Sequence, residues 1–216
     1  DLFMSTKRCV VLFSGNGSNV ENLLNKRDVV EDKLSYISAF TDNAKAKGIE
    51  ICKKFNLDIC VGRKDTLNED LNKFLDEYNP DLIILSGYMK IVTELIVNKY
   101  LGKIINIHPS LLPKYPGLNT YEKVIENNDQ YHGATVHFVT KDLDEGPIIL
   151  QGSFPVKEGM RKAELEKFTH KTEYIIFPIV VEWFAENVIQ YKEGNIYLKD
   201  KLITEPIVYQ VNVSND

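Results

Sequence analysis

The sequence predicts an α/β fold: an open, mostly parallel, twisted sheet with helices on both faces and an antiparallel portion towards the C-terminus. Three observations predict it. Short β-branched and aromatic runs alternate with segments whose apolar residues recur three and four apart, the order that successive βαβ units produce. After residue 120, two strand-like runs, "GATVHFV" and "PIILQGSF", flank the polar stretch "KDLDEG", which reads as an antiparallel pair joined by a turn. The 216 residues are 44% hydrophobic, which suits one compact domain burying roughly 70% of its unfolded surface.

Taken in chain order, the parallel strands are expected at Cys9 to Phe13, Leu34 to Phe40, Ile59 to Val61, Leu82 to Ser86 and Ile104 to His108. Between them, Asn19 to Asn25, Lys45 to Phe55, Asn68 to Tyr78 and Thr93 to Tyr100 carry the apolar spacing of amphipathic helices. A short helix is expected near Tyr121 to Asn127. A long one spans Lys162 to Glu186, with Pro178 as a kink. The chain is read as a single domain with its core over about 8–198 and a loosely packed tail over 199–216, where little periodicity remains.

Composition removes several classes of function. With 31 acidic against 26 basic residues the net charge is -5, and no run of lysine and arginine makes a phosphate-backbone stripe, so no nucleic-acid partner is expected. Cys9, Cys52 and Cys60 sit among apolar neighbours without CxxC pairing and read as core residues in a reducing compartment. The opening "DLFMSTKR" lacks an apolar stretch of signal-peptide length, and the run "YIIFPIVVEWF" is broken by Pro178 and Glu182. The expectation is a cytoplasmic protein with no membrane segment.

Three constellations can carry chemistry. In "FSGNGSN", Phe13 to Asn19, a strand runs into a helix through Gly15 and Gly17, and the small residues and unpaired helix N–H groups suit a phosphate. Val20 stands where a dinucleotide fingerprint needs its third glycine, and no GK[ST] follows. Asp42, ending the second strand, still leaves a nicotinamide reading open. The plainer account is a tight turn with Ser18 or Asn19 as the helix cap.

The second is "IINIHPSLLPKYPGLNT", Ile104 to Thr120. Strand alternation puts Asn106 and His108 on one face and Ile105 and Ile107 on the other, at the carboxyl end of a parallel strand, where open α/β sheets bind ligands. A lone strand histidine is more often a satisfied core residue. Two polar residues on one face before a proline-stiffened loop narrow that margin. The third, "KDLDEGPI", places Asp142, Asp144 and Glu145 before Gly146 and Pro147; a polar turn explains it unless a carboxylate meets His108, which would orient the ring and favour its charged form. His132 and His137 read as structural strand residues, and no histidine spacing makes a metal site. His170 and Glu173 share a helix face.

Together "SGNGSN", "GYMKIV", "NIHPSLLPKYPGL", "HGATVHFV", "DLDEGPIILQ" and "EYIIFP", in that order, resemble the glycinamide ribonucleotide formyltransferases, folate-dependent enzymes of purine synthesis. Each piece is short; their shared order is specific. The resemblance implies a Rossmann-like formyltransferase fold, 10-formyltetrahydrofolate as formyl-donating cosubstrate, glycinamide ribonucleotide as acceptor, no metal, and a monomer or homodimer. It implies Asn106, His108 and Asp144 as the catalytic trio, Gly17, Ser18 and Asn19 as the ribonucleotide phosphate loop, and Glu173 as a further ribonucleotide contact. Met89, Lys90, Ile91 and Val92 fall on the segment lining the folate pocket, with Asn106 beside it. A basic residue that helps hold the folate aligns with Lys64, next to Arg63. Leu112–Pro113 is a candidate cis bond.

Such a trio answers the needs of formyl transfer: donors for an oxyanion, and a carboxylate to move a proton from the attacking amine to the leaving nitrogen. Three rivals stand beside it: hydrolysis of the formyl-folate, a non-catalytic anion-binding module using only the glycine loop, and a nicotinamide oxidoreductase.

Overall fold

The computed structural model describes residues 5–213. An eight-stranded sheet is built from β1 (Lys7–Phe13), β2 (Leu34–Thr41), β3 (Ile59–Val61), β4 (Leu82–Leu85), β5 (Ile104–His108), β6 (Tyr131–Phe138), β7 (Ile148–Pro155) and β11 (Val208–Gln210), in the order β11-β7-β6-β5-β4-β1-β2-β3. The pairs among β1 to β5 are parallel, whereas β5–β6 and β6–β7 are antiparallel. The chain leaves β1 for β2 and β3 on one side and returns to β4 on the other. This reversal opens a crevice at the carboxyl ends of β1 and β4.

Alternation along the strands sorts the core into two layers. Val11, Phe13, Ile105, Ile107, Val136 and Phe138 face α1 (Ser18–Asn25), α2 (Gly48–Lys54) and α6 (Lys162–Ala185). Val10, Leu12, Ile83, Leu85 and Ile104 face α3 (Leu67–Tyr78) and α4 (Glu94–Lys99). Ile105 is fully buried, and burying such a side chain stabilises the fold by roughly 1.5–3 kcal/mol. A third cluster joins α5 (Thr120–Glu126) and the start of α6 to Val211 and Val213.

The expected elements are present, with shifted ends. Helix α2 begins at Gly48 rather than Lys45, because Asn43 takes the next backbone groups into a turn: its side chain accepts the Lys45 N–H and its carbonyl the Ala46 N–H. Helix α6 runs on through Pro178. The tail departs from expectation. Over 199–213 it is not loose: β11 adds in parallel to β7, Gln151 N–H donates to Ile207 O and Val211 N–H to Ser153 O, and Val211 and Val213 are buried. A three-residue strand held by backbone bonds leaves no side-chain period to read; residues 214–216 lie outside the described residues. Strands β8 (Ile189–Lys192), β9 (Asn195–Leu198) and β10 (Lys201–Leu202) form a separate antiparallel sheet, turning at Glu193 and Gly194, both with positive φ. No described helix is long and apolar enough to cross a membrane.

Candidate active site

Asn106 and His108 stand on the β5 face that Ile104 shares with the α3 and α4 layer, but there loops rather than a helix cover the sheet. Across the ladder Asn106 lies opposite His137 and His108 opposite Thr135. Thr135 and Gln151 tie down the proline loop: Thr135 Oγ1 donates to Ser110 O at 2.7 Å and accepts the Leu112 N–H at 3.1 Å, and Gln151 Nε2 donates to Leu112 O at 2.7 Å. The Leu112–Pro113 bond is cis.

The turn between β6 and β7 brings Asp144 to this face. Its side chain is 5% exposed, and Oδ2 lies 3.7 Å from His108 Nδ1, within ion-pair range though beyond a hydrogen bond. The same oxygen accepts the Gly117 N–H at 2.9 Å, and Asp144 has a φ of 54°, a left-handed backbone seldom used by residues other than glycine, asparagine and aspartate. On the other side of its ring, His108 Nε2 donates to Tyr115 O at 2.8 Å. The three polar residues singled out in the sequence therefore come together.

A fourth joins them. His137 Nε2 lies 3.3 Å from Asn106 Nδ2 and 3.8 Å from Asp144 Oδ1, and burial lowers its pKa. Its alternation with Val136 and Phe138 made it look structural; the unread signal was the same alternation, which puts it on the polar face once β6 is paired to β5. His132 is structural in its surroundings, packed edge-on to Tyr121 and Phe154, with burial pushing its pKa down to about 4.

The glycine loop forms the next wall. Gly17 has a φ of 73°, and an added Cβ would stand 2.6 Å from the Gly48 Cα, so only glycine fits. Neither Ser18 nor Asn19 caps α1. Instead Asn16 Oδ1 accepts the Ser18 N–H, and Asn19 Nδ2 donates to Glu173 Oε1 at 3.3 Å while its own Oδ1 is buried without a partner. Glu173 is 4% exposed and also accepts from His170 Nδ1 at 2.9 Å, a bond that raises the His170 pKa. Val20 is fully buried under the sheet in place of a third glycine.

The segment after β4 closes the site. Ser14 N–H donates to Gly87 O, and Met89 N–H donates to Ser14 Oγ at 2.8 Å, so this segment is pinned to the end of β1 at the topological reversal. Ser14 Oγ in turn donates to Asp42, which commits that carboxylate locally. Met89 and Ile91 are exposed and Val92 packs on the α3 and α4 layer. Alongside lies a cleft of about 810 Å³ whose wall includes Ser14, Asn43, Lys64, Met89 and Lys90; Asn106, His108 and Asp144 are not on its lining. Arg63 is bound to Asp70 by two side-chain bonds, at 2.7 and 3.1 Å, and holds that carboxyl well below the usual range. Lys64 is the neighbour that reaches the cleft.

The formyl transferase family profile matches residues 7–181. The phosphoribosylglycinamide formyltransferase of Escherichia coli (strain K12) is 36% identical over 88% of this chain and 92% of its own. The structure of the phosphoribosylglycinamide formyltransferase of Coxiella burnetii superposes with a TM-score of 0.87 at 31% identity, covering 94% of this chain and 99% of that one. The trifunctional purine biosynthetic protein adenosine-3 of Homo sapiens is 32% identical over 87% of this chain, which spans 19% of that longer protein. With the family profile and full-length relatives agreeing on most of its residues, the chain belongs to the formyl transferase family, among its phosphoribosylglycinamide formyltransferases.

Proposed function

We propose that residues 5–213 act as one formyl-transfer domain that moves the formyl group of 10-formyltetrahydrofolate to the amine of glycinamide ribonucleotide. The convergence of Asn106, His108 and Asp144 beside an uncapped glycine-loop helix carries this reading. The ribonucleotide phosphate would take the N–H groups at Gly17 and Asn19 and, in exchange for its bond to Asn16 Oδ1, that of Ser18, and Glu173, whose carboxylate already faces Asn19, would accept from the ribose. The folate would lie along Met89, Lys90, Ile91 and Val92, with the apolar side chains of Met89 and Ile91 open to a flat ring and Lys64 and Lys90 available to a carboxylate.

In the reaction the amine lone pair attacks the formyl carbon, and the carbonyl π electrons move onto oxygen. Asn106 donates an N–H to that oxyanion. His108 donates a second from Nε2, whose present acceptor, the Tyr115 carbonyl at 2.8 Å, marks where an oxygen sits against this nitrogen and would yield to it. One such donor is worth about 3 kcal/mol in the transition state. Asp144, through water, takes the proton from the attacking nitrogen and passes it to the folate nitrogen as the carbon–nitrogen bond breaks and that nitrogen keeps the electron pair; a placed base of this kind contributes ~10²- to 10⁴-fold. Holding the two substrates in line contributes more, up to roughly 7–11 kcal/mol.

The test is an assay of the purified protein with both substrates. Formylated ribonucleotide and tetrahydrofolate are expected in equal amounts, with turnover lost in His108→Ala. Formate released at full rate without the ribonucleotide would replace this reading with hydrolysis.

A further inference from the structure

An amide can serve an oxyanion only with its nitrogen turned the right way, and at Asn106 nothing intrinsic to the side chain decides that. The decision falls to the ring opposite. His137 Nδ1 lies 2.9 Å from the carbonyl oxygen of Phe138, an atom that can only accept, so Nδ1 must carry hydrogen. That oxygen is fixed, because Gly146 packs so tightly against it that an added Cβ would come within 1.7 Å. The ring is 2% exposed, and burial favours its neutral form, which leaves Nε2 with a bare lone pair. A lone pair 3.3 Å from Asn106 selects the amide nitrogen and rejects the amide oxygen.

We propose that His137, as the neutral Nδ1–H tautomer, is the positioning residue that holds Asn106 with its amide nitrogen, not its oxygen, towards the reacting carbon. Nε2 lies 3.3 Å from Asn106 Nδ2 and 3.8 Å from Asp144 Oδ1, so the amide nitrogen is held at the ring atom that also neighbours the carboxylate. One hydrogen of that nitrogen is spent on the ring and the other is left for the oxyanion. The backbone is shaped to allow it: the ladder to β7 slips between Val136 and His137, an irregularity of the kind that re-aims a side chain beside an active site. His137 touches neither substrate in this account. It acts through Asn106, and the inference rests on Asn106 being the oxyanion donor.

Nitrogen-15 NMR of the histidine rings reads the tautomer without any turnover. At neutral pH His137 should show a protonated Nδ1 and a bare Nε2; a protonated Nε2, in either the other tautomer or the cation, overturns the proposal. Kinetics then separates positioning from packing. His137→Phe keeps ring volume but no acceptor, and should lower kcat about 10- to 100-fold with both KM values within about threefold. His137→Gln, whose carbonyl oxygen can accept from Asn106, should recover most of that loss. Full kcat in His137→Phe, or equal damage in both variants, refutes the assignment. If the wild-type protein transfers no formyl group, the functional reading falls instead, while the ring spectrum still judges the tautomer.

Discussion

The proposed reaction centre and the surfaces that would anchor the substrates are built by different means. Asn106, His108 and His137 stand on β5 and β6, inside the eight-stranded sheet, where register fixes each against a cross-strand partner. His108 and His137 are buried and Asn106 is partly so, and their contacts are mostly with one another or with the loops folded over them. The anchoring groups sit on a helix start, on α6 and on exposed turns: Asn19 keeps a buried oxygen without a partner, and Lys64 and Lys90 are exposed. Chemistry at a single carbon is sensitive to displacements well under an ångström, and paired strands hold side chains to that tolerance. A phosphate or a distant carboxylate tolerates more.

The sharpest way to break this contrast is Asn106→Ala. If the strand-borne groups serve only the transition state, kcat should fall about 10²- to 10³-fold while both KM values stay within about threefold. Steady-state kinetics with each substrate varied in turn checks it. A large rise in either KM with kcat preserved would make Asn106 an anchoring residue and merge the two regions into one.

A smaller effect is expected where backbone does the anchoring. Gly17→Ala forces a Cβ towards the Gly48 Cα at a positive φ, a strain of order 1–3 kcal/mol that the loop can relieve only by moving its N–H groups. The KM for the ribonucleotide should rise about tenfold and the melting temperature should drop, with the folate KM and kcat little changed. An unaltered ribonucleotide KM would remove the glycine loop from the anchoring surface.

The same contrast explains what the sequence could reveal. Strands and helices of the parallel half were legible because period and apolar content agree in them, and Ile59–Val61 and Ile104–His108 fall at the expected bounds. Asn106 and His108 were legible as a pair because they share a strand face. Asp144 was singled out by the resemblance and not by its spacing, because its approach to His108 depends on a turn between antiparallel strands that no local pattern encodes. The place of His137 opposite Asn106 was hidden for a related reason: one strand alone does not say which face is polar until its neighbour is known. Strand β11 is held by backbone bonds to β7, and those leave no mark on side-chain spacing.

The least effect is expected at Lys64, and it discriminates between two adjacent cations. Arg63 is spoken for: its guanidinium and its backbone N–H both bind Asp70, so removing the side chain should cost a little stability and leave the folate KM unchanged. Lys64 is exposed on the wall of the cleft that Met89 and Lys90 also line. An exposed lysine facing a mobile carboxylate contributes about 0.2–1 kcal/mol, so Lys64→Ala should raise the folate KM roughly two- to fivefold at low salt. Because exposed charges are screened over a Debye length of about 8 Å at physiological ionic strength and about 3 Å at 1 M, the difference between variant and wild type should shrink as salt is added. A rise that persists at 1 M salt would mean a desolvated, geometrically fixed contact, and the anchoring surface would then be as rigid as the strand-built centre beside it.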